Sequence, residues 1–138
     1  MRKKFLLALA LTLFSSFGAA AQTQGEMTAQ ACREYKLADT ELNRVYQQIL
    51  RDYKADNAFI KKLKNAQRAW LAYRDAQLAA IYPDLSPGAY GSAHPMCRCH
   101  ELRYLTEART NELKRWVAGT SEGDVCAGSV RFQQPKTK

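Results

Sequence analysis

Both histidines of this chain and two of its four cysteines lie within one short segment. The order His94-x2-Cys97-x-Cys99-His100 superficially suits zinc or copper, which bind imidazole and thiolate groups. If the chain is exported, as its first 21 residues predict, an even number of cysteines is more typical of disulfides. We therefore predict no metal and no other cofactor, and a thiol or metal protein that uses Cys97 and Cys99 stays a remote alternative.

Two disulfides are predicted among Cys32, Cys97, Cys99 and Cys126. Four cysteines allow three pairings. A bond between Cys97 and Cys99 would close a very short and strained ring, which disfavours one of the three. In the two pairings that remain open, Cys32 bonds either Cys97 or Cys99, and Cys126 bonds the other.

Polar residues interrupt the apolar faces of two predicted helices. Gln67 and Arg74 fall in the middle of a face whose apolar members are Ile60, Leu63, Trp70, Leu71, Leu78 and Ile81. Arg109 lies in the same way on a later helix. Because a buried, unpaired guanidinium is costly, it must meet an acceptor. We predict a buried polar network of Asp39, Asn43, Gln67, Arg74, Asp75 and Arg109. The alternative is a pocket between the helices that binds an anion or a partner.

The residue pattern is poor in catalytic arrangements. A glycosidase needs two carboxylates across a cleft, whereas the acidic residues here are scattered on helix surfaces. A nucleophilic enzyme needs a serine or cysteine beside a base, and the only histidines flank the cysteine pair. We predict a non-enzymatic protein without catalytic residues.

Residues 1–21 have the three parts of a signal peptide. Arg2, Lys3 and Lys4 form a charged start, Phe5–Phe17 is apolar, and Ala19–Ala21 supplies a cleavage pattern. Cleavage would lower the net charge from +8 to +5 and leave no transmembrane segment. The sequence therefore predicts a periplasmic or secreted protein, for which nucleic acid is not a partner.

Apolar spacing predicts three helices in the rest of the chain, at about residues 28–53, 58–82 and 95–117. Thr28 is the expected N-cap of the first helix, and Asp56 or Asn57 that of the second. The short first turn predicts an all-α, antiparallel three-helix bundle over residues 22–118. Residues 119–138 are expected to form an irregular tail, extended along the bundle and tethered through Cys126.

The segment Pro83–Pro95 is a long loop for a small bundle. It carries Leu85 and Tyr90, and it follows Tyr82. Prolines and glycines allow such a loop to present apolar groups at low entropic cost, which predicts a partner contact. The alternative is a covering connection that packs these rings onto the end of the bundle.

Three segments together resemble the LprI-type lysozyme inhibitor N-terminal domain family. They are ADTELNRVYQQI at Ala38–Ile49, KNAQRAWLAYRDAQ at Lys64–Gln77 and LTEARTNEL at Leu105–Leu113. The family consists of small exported, cysteine-containing helical domains. Its pattern falls on Cys32, Tyr35, Asp39, Leu42, Asn43, Tyr46, Gln67, Trp70, Tyr73, Arg74, Asp75, Arg109, Thr110 and Leu113.

The resemblance implies a non-enzymatic binding protein that inhibits lysozyme, with c-type lysozyme or another envelope protein as its partner. The contact would come from the loop or an exposed helix face, with Asp84 or Glu101 meeting the basic enzyme. The alternative is an accessory or structural envelope protein whose basic faces bind an anionic polymer, either peptidoglycan or lipopolysaccharide.

Overall fold

The computed structural model describes residues 23–133, which form three helices. They are α1 (Gln24–Asp52), α2 (Asn57–Ile81) and α3 (His94–Ala118). The predicted all-α, three-helix bundle is confirmed. The predicted signal peptide lies outside the described residues, as do residues 134–138 of the tail. No helix within residues 23–133 is long and apolar enough to cross a membrane.

The start of α1 was predicted wrongly. Thr23, not Thr28, is the N-cap, and it forms a capping box with Glu26. Each side chain accepts a hydrogen bond from the other residue's backbone N–H. The Thr28 hydroxyl instead donates to the Gln24 carbonyl inside the helix. The boundaries of α2 and α3 agree with the prediction to within one residue, and the Asp56 side chain caps α2 by accepting from the Phe59 N–H.

The core lies between the helices and is richest in residues of α1. Its buried members are Leu42, Val45, Ile49, Tyr53, Leu63 and Leu113. Three of them lie in α1 and Tyr53 is its C-cap, and these four recur at intervals of three and four residues, so they form one stripe. Leu63 comes from α2 and Leu113 from α3, which means that all three helices contribute to one core.

A single disulfide joins Cys32 of α1 to Cys99 of α3. At the other end of the bundle, the Tyr53 hydroxyl donates to the Trp116 carbonyl over 3.2 Å. Contacts between the starts of α1 and α3, and again between their ends, mean that these two helices run parallel. The antiparallel α2 connects them. The prediction that Cys32 lies beside Cys97 and Cys99 is therefore confirmed, and Cys99 is its partner.

The predicted path of the tail was wrong. Cys126 is a free thiol, as is Cys97, so no disulfide tethers the tail. Residues 119–133 fold back at the end of the bundle where α3 finishes, about 30 Å along the helix from Cys97. The Thr120 N–H donates to the Arg131 carbonyl over 3.0 Å, and Val130 is buried. The tail was expected to extend along the bundle so that Cys126 could reach Cys97 or Cys99. Because no such disulfide forms, the tail can instead bury its apolar residues close to the end of α3.

Candidate functional site

A groove lies between α1 and α2 in the middle of the bundle, with a cavity volume of about 420 Å³. Its apolar lining is Leu42, Leu50 and Leu71, and its polar lining is Asp39, Asn43, Tyr46, Lys64, Gln67 and Arg68. Three of the six residues predicted as an internal network therefore line a surface groove. The arrangement is suited to binding, because hydrogen-bonding groups surround an apolar floor.

On the α1 side of the groove, the Asn43 amide nitrogen donates to the Asp39 carboxylate over 3.1 Å. The two residues are four apart, so they lie one helical turn from each other on the same face. Asn43 is exposed. Neither Asp39 nor Asn43 is an acceptor for Arg74 or Arg109, which differs from the predicted network.

Beneath the groove, Arg109 of α3 reaches Gln67 of α2. Its Nε donates to the Gln67 Oε1 over 3.1 Å, and its Nη1 donates to Glu112 over 2.9 Å. Gln67 is the one member of the predicted network that is buried. Because arginine has only donors, Gln67 must offer its oxygen here, and its amide nitrogen is left for other acceptors.

Arg74 forms a separate pair with its neighbour Asp75. Its Nε and Nη2 donate to the same carboxylate oxygen over 2.9 and 2.7 Å. The guanidinium also lies over the Trp70 ring, 5.6 Å from its centroid. The six residues thus form three groups: Asp39 with Asn43, Gln67 with Arg109, and Arg74 with Asp75. The helical spacing predicted Arg74 on an apolar face with an acceptor on another helix. Its guanidinium instead donates its hydrogen bonds to Asp75 of the same helix.

Positive charge lies along the α2 side of the groove. Burial raises the pKa of the Tyr46 hydroxyl, while the nearby charges of Arg68 and Arg109 act in the opposite direction. Within residues 23–133, Lys64 and Arg68 form no ion pair with a carboxylate. The phenol therefore lies in a groove with unneutralised cations on one wall.

The loop between α2 and α3 is held by a cluster of three rings. The Tyr82 centroid lies 5.2 Å from that of Tyr90 and 4.6 Å from that of His94. The Tyr90 hydroxyl accepts a hydrogen bond from the Asp84 N–H over 2.8 Å. Both predicted alternatives describe part of this loop, because the two tyrosines pack onto the bundle while Leu85 is 93% exposed.

Glu101 lies on α3 next to this cluster. Burial raises the pKa of Tyr82, and the negative charge of Glu101 adds to the increase. A cleft of about 340 Å³ opens on the same side, lined by Leu85, Arg98 and residues of α2. The five residues predicted as a partner contact (Tyr82, Asp84, Leu85, Tyr90 and Glu101) are thus brought to one end of the bundle.

Comparison with known proteins identifies the family. The family model described as Lysozyme inhibitor LprI matches residues 18–113. This chain belongs to the LprI lysozyme inhibitor family. A protein of Rhizobium meliloti (strain 1021), described as uncharacterised, is 36% identical over 107 residues, which cover 68% of this chain and 73% of the relative. No solved structure matches the chain. The LprI match ends within α3, so the folded tail lies beyond it.

The segment 94–100 of this LprI domain is not arranged as a metal site. The sulfur of Cys99 is bonded to Cys32, and the His94 ring packs at a tilt against two tyrosine rings. Within residues 23–133, no group of three or more potential ligands lies together as a metal ion would require. A thiol or metal protein that uses Cys97 and Cys99 would need both as thiols, and Cys99 is in a disulfide.

Sequence reasoning did not identify the basic wall of the groove between α1 and α2. A signal was present, because α2 has no acidic residue between Asn57 and Arg74. Lys64 and Arg68 are four apart and therefore share a face, which the helical period predicts. Glu112, the carboxylate partner of Arg109, was also missed, although its spacing of three residues is typical of a helical ion pair.

Proposed function

We propose that this chain is an exported, non-enzymatic protein that binds lysozyme and inhibits it. The observation that carries the proposal is the LprI family match over residues 18–113. That match includes α1, α2, the connecting loop and most of α3. The binding surface should accordingly lie on these elements and not on the tail.

The contact surface in this proposal is the loop that carries Leu85. Its side chain is almost fully exposed beside a cleft, so it is an apolar anchor that a partner would bury. The backbone around it is braced, because the Asp84 carboxylate accepts from the Ser86 N–H over 2.8 Å and the Asp84 N–H is bound by Tyr90. A braced loop loses little conformational entropy on binding, which favours affinity.

Acidic side chains near Leu85 would provide the attraction to a basic enzyme. The expected mature chain is itself positive, so this attraction has to be local. Asp84 is exposed, and hydrogen bonds from Ser86 lower its pKa, so it is charged at neutral pH. Glu101 lies close to the same ring cluster. These two carboxylates are the groups that we expect to meet lysozyme.

The test measures lysis of a cell-wall suspension by a c-type lysozyme in the presence of the purified protein. The unaltered protein should slow lysis. Leu85→Ser should raise the concentration needed for half-inhibition by about tenfold or more, because it removes an apolar anchor without adding charge. Leu37→Ser is the matched control, because Leu37 is also an exposed leucine, 70% accessible, but lies on α1. It should inhibit as the unaltered protein does.

Two results would contradict different parts of the proposal. No effect on lysis at a large molar excess of the unaltered protein would reject lysozyme inhibition itself. The loop would be rejected as the contact surface if Leu85→Ser and Leu37→Ser weakened inhibition equally, or if neither variant weakened it. Circular dichroism of both variants should show unchanged helix content, since each altered side chain is exposed.

A further inference from the structure

We propose that the groove between α1 and α2 is a carbohydrate-binding site that takes an acidic sugar. It shares no residue with the loop proposed to contact lysozyme, so it constitutes a second site on the chain. Its volume of about 420 Å³ lies within the range of about 300–1,000 Å³ that is typical of small-ligand sites. A cavity of this size is much larger than a single inorganic anion requires.

The charge of the α2 wall favours an anionic ligand. Among the arginines of residues 23–133, Arg44, Arg74, Arg103 and Arg109 each lie against a carboxylate, whereas the others, including Arg68, do not. Arg68 instead donates to the neutral oxygen of Asn65. Lys64 lines the groove beside it and also has no carboxylate partner within residues 23–133. These two cations are therefore available to a carboxylate group that enters the groove.

The neutral polar groups suit hydroxyl and amide substituents. Asn43 uses its nitrogen to bind Asp39, which leaves its oxygen as an acceptor. Gln67 uses its oxygen to bind Arg109, which leaves its nitrogen as a donor. A sugar hydroxyl both donates and accepts, so it can satisfy groups of either kind along one wall.

The groove floor suits the apolar face of a sugar ring better than a peptide strand. Leu42, Leu50 and the ring of Tyr46 provide an apolar surface between the polar walls. A strand of a partner protein needs free backbone groups, and those inside a helix already bond each other. An amphipathic helix of a partner needs a continuous apolar stripe, which the charged and amide side chains of this groove interrupt.

The test compares two soluble sugars by NMR, with isotope-labelled protein purified after expression of the full chain. N-acetylmuramic acid carries a carboxylate on an ether substituent, and N-acetylglucosamine has the same ring without it. The acidic sugar should shift the side-chain amide signals of Asn43 and Gln67, and the neutral sugar should bind about tenfold more weakly. The affinity for the acidic sugar should fall as salt is added.

Variants that replace one cation by glutamine decide whether sugar binding depends on the groove or on the general positive charge of α2. Arg68→Gln should weaken binding of N-acetylmuramic acid about tenfold. Lys62→Gln is the matched control, because Lys62 is an exposed cation of the same helix that does not line the groove. It should change the affinity less than twofold, within the range of a screened surface charge.

Four outcomes would overturn the assignment. The first is the absence of amide shifts at saturating sugar concentrations. The second is equal affinity for the two sugars, and the third is equal weakening by Arg68→Gln and Lys62→Gln. Salt-sensitive binding to vesicles of anionic lipid without a shift of Asn43 or Gln67 would likewise reject a sugar site. Lysozyme is absent from all these measurements, so their outcome is independent of the proposed inhibition.

Discussion

Removal of the Cys32–Cys99 disulfide should cause a large loss of stability. The bond closes a loop with a sequence separation of 67 residues. The chain-entropy relation for a loop of that length gives about 4 kcal/mol at 25 °C, because the open unfolded chain has many more conformations. For a domain of this size, a loss of about 4 kcal/mol corresponds to a fall in Tm of about 10–25 °C.

The assay is urea unfolding without reductant, followed by circular dichroism, for two matched double variants. Cys32→Ala with Cys99→Ala removes the disulfide, and Cys97→Ala with Cys126→Ala removes only free thiols. The first pair should lower the free energy of unfolding by about 4 kcal/mol, and the second by less than about 1 kcal/mol. Alkylation of the unfolded, unreduced parent should label Cys97 and Cys126 alone.

Equal losses in the two double variants would refute the assigned pairing, since both sets of cysteines would then be cross-linked. An unchanged free energy of unfolding in the Cys32→Ala, Cys99→Ala variant would refute the entropic reasoning. Labelling of Cys99 in the unreduced parent would contradict the pairing directly.

Two further predictions concern the tail and the pH dependence of stability. Gly119→Ala should lower the free energy of unfolding by about 2–4 kcal/mol, because φ is +74° and the added Cβ would lie 2.8 Å from the Arg131 carbonyl oxygen. Gly123→Ala, at φ +86° in open space, should lose clearly less in the same urea titration, and equal losses would mean that the contact with the tail is unimportant. Hydrogen bonding to Arg44 lowers the pKa of Glu41 from 4.5 to about 2, so the charged form stabilises the fold above about pH 4.5 and this contribution is lost as the pH falls towards 2. Thermal unfolding of Glu41→Gln should therefore vary less with pH across that window, and an unchanged pH dependence would contradict the assignment.

The helices were predictable because their signals are local. Pro83 ends the predicted second helix, Gly119 follows the third, and the Asp56 side chain caps α2 as its position suggests. The up-down-up order then placed Cys32 near Cys97 and Cys99. The choice of Cys99 depends on the rotation of α3 about its axis, which spacing alone does not specify.

The beginning of α1 and the course of the tail were not predicted, for different physical reasons. Thr23 and Glu26 precede the apolar stripe, so a prediction from periodicity placed the start of α1 several residues too late. Their spacing of three residues is that of a capping box and was the available signal. The tail depends on contacts distant in sequence. The Arg131 guanidinium lies 4.0 Å from the centroid of the Tyr53 ring, and the Trp116 Nε1 donates to the Ser129 hydroxyl.

The candidate groove was predictable only in part. The helical period identified Gln67 and Arg109 as polar residues facing other helices, and they do meet. It did not show that Asp39 and Asn43 bond each other at the surface. Which donor meets which acceptor depends on distances of a few ångströms between helices, and a one-dimensional pattern does not contain them.

The Cys32–Cys99 bond also determines how the molecule responds to proteolysis. The connecting loop, with its exposed Leu85, lies inside the covalently closed part of the chain, as does the whole of α2. A protease that cuts once between residues 33 and 98 therefore produces two pieces that remain joined. The nicked molecule would keep its mass, apart from one added water, until the disulfide is reduced, and its fragments would separate only then.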